Sequence, residues 1–108
     1  MQVWRGVSLG ARHAHPWRVA DQKRIVYIIR SDREPARHDT GLTSDLPGRL
    51  KWHNGRDGGY GVRHRPWFLI VAVEFGTEAT ARRFEKYLKS GSGRAFAKRH
   101  FDPVTCEY

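Results

Sequence analysis

The sequence predicts an α+β fold, a small and mostly antiparallel sheet packed by helices in the order ββαβαα. Three observations predict it. Residues 24–30, "RIVYIIR", and residues 67–75, "WFLIVAVEF", are rich in β-branched and aromatic residues, as strands are. Residues 44–54 and 78–89 place apolar side chains at helical spacing behind capping residues. With 108 residues the chain has room for one domain and is long enough to bury a core without staples.

Taken in order, residues 1–22 show neither a helical nor a strand period and read as an irregular extension. His13 and His15 lie there without a regularly spaced third ligand, so they read as solvated groups. The strand at 24–30 ends in polar turn formers, and "SDREPARHDTG" makes a hairpin loop into a weaker strand at about 36–41. The first helix has Ser44 or Asp45 as its cap, Pro47 in the first turn where no amide donor is needed, and Gly55 at its end. Residues 55–66, "GRDGGYGVRHRP", form a basic, glycine-rich loop. The strand at 67–75 is almost continuously apolar, which predicts that both of its faces are covered. Gly76 and Thr77 open the second helix, and "GSGRAFAKRHF" makes a short third helix capped by Ser92. The domain therefore spans residues 23–101, with 102–108 as a tail.

Lysine and arginine number 20 against 11 acidic residues, a net charge of +9 and a pI near 10.4. Such a balance favours a polyanion, nucleic acid ahead of an anionic membrane surface. Cys106 is the sole cysteine, which excludes an intramolecular disulfide and a cysteine zinc cluster. That composition suits a reducing cytoplasm. The N-terminal residues lack the apolar core of a signal peptide, and no run approaches the ~18 apolar residues of a membrane span.

The helices carry the chemistry. On a helical wheel Ala81, Phe84 and Leu88 form the buried stripe of the second helix, with Arg82, Arg83, Lys86 and Lys89 opposite. Glu85 falls inside the apolar sector, so its carboxylate needs a cation nearby, an arginine or a metal. On the first helix Leu46 and Leu50 point inward, and Arg49 and His53 stack at one border of that stripe. Arg49 has the fork geometry for a phosphate, but an Arg49–Glu85 ion pair between helices explains the same pattern without chemistry. Tyr27 brings a polar tip into a strand of Ile and Val.

The series "VYIIR", "TGLTSDLPGRLKWHN", "HRPWFLIVAVEF" and "RRFEKYLKSGSGRAFAKRHF" resembles the GIY-YIG nuclease superfamily over residues 24 to about 101. It looks most like the small stand-alone bacterial members related to the incision subunit of nucleotide excision repair. The resemblance implies a three-stranded antiparallel sheet flanked by helices. It further implies metal-dependent hydrolysis of DNA phosphodiester bonds with Mg²⁺ or Mn²⁺, in repair or recombination. Tyr27 matches the tyrosine of the first signature, with "IVY" standing for "GIY", and Gly41 the glycine of the second. Arg49 matches the essential arginine, and Glu85 the metal-binding glutamate. His53 sits where members carry a tyrosine or histidine near the attacking water. In two places the chain departs: Asp39 replaces the second signature's tyrosine, and Phe96 and Ala97 occupy the region of a polar residue beyond the glutamate. The basic side chains Lys51, Arg63, His64, Arg65, Arg82, Arg83, Lys86 and Lys89 are the expected nucleic-acid contacts. The alternative function is a nucleic-acid-binding module of the same fold that cleaves weakly or not at all.

Overall fold

The computed structural model describes residues 2–3, 22–55 and 63–102. Its centre is β2 (Ile25–Ser31), whose Ile25, Val26, Tyr27, Ile28 and Ile29 are all buried. β2 pairs antiparallel with β3 (His38–Thr43) on one side and β4 (Trp67–Glu74) on the other. This is the three-stranded antiparallel sheet that the sequence implied. It gains one short strand, β1 (Gln2–Val3), which pairs antiparallel with Val73 and Glu74 of β4. The N-terminal extension is therefore not irregular throughout; residues 4–21, with His13 and His15, lie outside the described residues, as does Cys106.

Period-2 alternation gives β2 two faces. Ile25, Tyr27 and Ile29 pack with Leu46, Trp67 and Ala72 under α1 (Leu46–Asn54), and Leu50 of that helix rests on the same cluster. Val26 and Ile28 pack on the opposite side with Ala81 and Leu88 of α2 (Glu78–Leu88) and with Phe96, Ala97 and Phe101 in and beyond α3 (Gly91–His100). Phe96 and Ala97 thus serve that second core.

The helix starts follow from local hydrogen bonds. Asp45, not Ser44, caps α1, its carboxylate accepting from the Gly48 amide at 3.2 Å. Thr77 caps α2 through the Thr80 amide. The third helix is capped by Ser90 instead of Ser92, because the chain turns immediately after α2. The Ser90 hydroxyl accepts from the Gly93 amide at 3.1 Å, which leaves Ser92 inside the first turn.

β4 departs from expectation. Its register against β2 shifts between Ile28 and Ile29, where Ile28 faces Val71 and Ile29 faces Leu69. The extra residue reverses the alternation along β4, so Ala72 and Trp67 reach the same face although five positions separate them. The strand is also not covered on both faces: Phe68 is 51% and Leu69 41% exposed. The physical reason is position, since β1 pairs only with Val73 and Glu74 at the far end of β4, and neither core cluster takes in Phe68 or Leu69.

Candidate active site

Tyr27 organises the site. It lies opposite Gly41 on β3 and Ala72 on β4, the two small residues its ring requires. A Cβ on Gly41 would run into the Tyr27 hydroxyl and ring, so the second signature's glycine makes space for the first signature's tyrosine. The ring is 3% exposed, and its hydroxyl is hydrogen-bonded to His53 Nε2 at 2.9 Å.

His53 reaches that position from the last turn of α1 and is itself 6% exposed. Aromatic rings surround it: Trp52 lies edge-on at 5.0 Å, Tyr27 at 5.8 Å and Trp67 at 6.3 Å. Asn54 anchors the helix end to β4, accepting from the Trp67 amide at 2.6 Å and donating to its carbonyl at 3.1 Å. Both members of the Tyr27–His53 pair are held neutral. Burial lowers the pKa of His53 below its ordinary 6.5, opposed by Asp39 and assisted by Arg49. Burial likewise pushes Tyr27 up to about 12; the Arg49 guanidinium pulls it down, and the Asp39 and Glu85 carboxylates push it further up.

Those influences place the remaining residues. Arg49, Asp39 and Glu85 all lie within electrostatic reach of Tyr27, although they come from α1, the edge strand β3 and α2. Arg49 is only partly buried, and its guanidinium carbon sits 5.0 Å from the centre of the Trp52 ring. The Arg49–Glu85 ion pair that the sequence left open as an alternative does not form. The cation beside Glu85 is Lys89, one turn on, at 3.1 Å, with the Glu85 side chain 21% exposed. Arg49 thus has no acidic partner among the described residues, and Glu85 is paired only within its own helix.

The other predicted contacts are scattered around this site. Lys51, Arg63, Arg83 and Lys86 are exposed, and no ion pair or hydrogen bond engages their side chains among the described residues. Arg82 is bound by Glu78 at 2.7 Å, His64 lies 3.0 Å from Glu34, and the Arg65 guanidinium donates to the Gly55 carbonyl at 2.8 Å. These three have structural partners already. Sequence reasoning overlooked Trp52, which touches both Arg49 and His53. Its position three residues beyond Arg49 on α1 was the signal that could have found it.

No cluster of three metal-ligating side chains occurs among the described residues. The donor set still suits a hard cation that keeps most of its water, since Mg²⁺ is commonly held by one or two carboxylates and substrate phosphates. Glu85, within electrostatic reach of Tyr27, would supply such a carboxylate.

A sheet centred on a buried tyrosine opposite a glycine, with an arginine and a histidine from one helix and a glutamate from the next, is the arrangement of a known family. The family model described as the GIY-YIG catalytic domain matches residues 23–100. The chain belongs to the GIY-YIG nuclease superfamily. It is also similar to a protein of Scheffersomyces stipitis described as "Structure-specific endonuclease subunit SLX1", with 36% identity over 67 residues. That match covers 56% of this chain but 20% of the relative, so the chain spans about a fifth of the relative's length. No solved structure matches the chain. Among the described residues no helix is long and apolar enough to cross a membrane.

Proposed function

We propose that the protein is a DNA endonuclease that hydrolyses phosphodiester bonds with Mg²⁺ or Mn²⁺, acting in repair or recombination. The observation that carries this reading is the neutral Tyr27–His53 pair set within reach of one guanidinium and two carboxylates. At neutral pH a phenol with a pKa near 12 is a poor base, whereas the buried imidazole is unprotonated and can accept. Tyr27 therefore works as a relay. Its hydroxyl donates to His53 Nε2 while its oxygen takes the proton of the attacking water. Arg49 binds the phosphoryl oxygens and stabilises the charge that builds on them. Glu85 would hold the metal, with Asp39 nearby, and the bound cation would supply charge stabilisation at the leaving oxygen.

The match to a structure-specific endonuclease subunit makes branched DNA the first substrate to test. Plasmid and branched duplexes incubated with Mg²⁺ or Mn²⁺ should be cut by the wild-type chain and left intact by Glu85→Ala. Equal cutting by both proteins would refute the role given to Glu85. One observation favours a second reading, a binding module of the same fold that cuts weakly. Asp39 stands where the family has a tyrosine, and its carboxylate opposes Arg49 at Tyr27. A wild-type chain that binds these substrates and leaves them whole with either metal would establish that reading instead.

A further inference from the structure

A groove of about 790 Å³ opens on the α2–α3 side of the sheet, between β3 with its preceding loop and the α2–α3 corner. Asp39 lies in its wall, and Ile28 in its floor puts the groove on the face of β2 opposite Tyr27. Ile28, Leu88 and Ala97 give it an apolar floor, and Lys89, Arg94 and Lys98 give it cations. Its two carboxylates are Asp39 and Asp102, and Asp102 lies 3.6 Å from the His38 imidazole. Lys89 is engaged by Glu85, but Arg94 and Lys98 are exposed and have no acidic partner among the described residues. Those two stand four apart on α3, hence on one helix face about 6 Å apart along the axis.

We infer that this groove seats a single nucleic-acid strand, with Arg94 and Lys98 binding successive backbone phosphates. The inference rests on the nuclease reading and names a part of its substrate path. The size decides between strand and duplex. A cavity in the range of about 300–1,000 Å³ takes something the size of one or two nucleotides, and a duplex is too broad to enter. The mixed lining fits one strand as well: free cations on α3 meet phosphates, and the apolar floor accepts the face of a sugar or base. Asp39, at the inner wall, keeps the phosphates on the α3 side.

The test is binding of a fluorescein-labelled single-stranded oligonucleotide to the full chain in EDTA, followed by anisotropy across a salt series. Working without metal separates this question from cleavage, so a failed groove and a failed nuclease give different results. Arg94→Gln with Lys98→Gln is compared with a charge-matched control, Arg33→Gln with Arg99→Gln, which lies outside the groove. The groove variant should bind at least tenfold more weakly than wild type, and its log–log salt slope should drop by about 1.4, two phosphates at roughly 0.7 each on a single strand. The control should lose no more than about threefold. Equal losses in the two variants, or a wild-type chain with no affinity for the strand, would overturn the inference.

Discussion

The two faces of the sheet share one strand and have opposite characters. Under α2 and α3, Val26, Ile28, Ala81 and Leu88 join a run of phenylalanines, with Phe75 and Phe84 5.2 Å apart and Phe96 and Phe101 5.4 Å apart. Under α1 the same strand contributes Tyr27, and the core there contains the buried His53 and its hydrogen bond. A buried polar pair is tolerable only when its partners are satisfied. The phenylalanine face is held by a cluster of apolar side chains from β2, α2 and α3. That frees the α1 face to hold a neutral phenol and imidazole beside charged residues.

The largest expected effect falls on the α1 side. Arg49→Ala should lower the single-turnover cleavage rate by about 10²- to 10³-fold with little change in melting temperature. Arg49 is partly exposed, and the ring it covers belongs to its own helix. A marked drop in melting temperature would make it a structural residue. Substitution on the opposite face should do the reverse. Val26→Ala removes two methyl carbons from a side chain that is 1% exposed. It should cost on the order of 2 kcal/mol in urea unfolding, from lost transfer energy plus a cavity. The cleavage rate per folded molecule should not change.

A smaller effect concerns Asp39. Exchanging its carboxylate for the family's phenol removes an anion that pushes Tyr27's ionisation upward. Asp39→Tyr should raise the metal-dependent rate severalfold while DNA affinity stays nearly constant. Loss of cleavage in a folded Asp39→Tyr protein would make Asp39 a working part of the site. The smallest effect is a pH slope. The unfolded chain protonates His53 near pH 6.5, and the native protein does so only at a lower pH. The stability gained by keeping it neutral is therefore complete above pH 6.5 and is lost as pH falls toward the native pKa. Urea midpoints measured from pH 7 to pH 5 should fall less steeply in His53→Asn than in wild type, and parallel slopes would contradict this assignment.

The two faces were not equally legible in the sequence. Helical spacing alone located Ala81, Phe84 and Leu88 as one stripe and Leu46 and Leu50 as another, because period and burial agree there. The positions of Tyr27, Arg49, His53 and Glu85 were likewise visible as polar residues beside apolar stripes. Trp67 was not. An unbroken strand period would put it on the same face as Val71 and Val73, and the bulge beside Ile70 moves it under α1 next to His53. Backbone irregularities of this kind carry no hydrophobic signature. The cation beside Glu85 was hidden for a different reason. An exposed lysine one turn away and an arginine on another helix satisfy the same charge requirement, and only the three-dimensional arrangement chooses Lys89.

Whether Arg49 and Glu85, from separate helices, serve one reaction centre at Tyr27 is best tested by a double-mutant cycle in single-turnover cleavage. Rates are measured for wild type, Arg49→Ala, Glu85→Ala and the double variant, each with saturating Mn²⁺ and the same branched substrate. Residues acting on one transition state are strongly non-additive. The double variant should therefore cut within about threefold of the slower single variant. Deficits that multiply, or a Glu85→Ala protein that cuts as fast as wild type, would contradict a single site built around Tyr27.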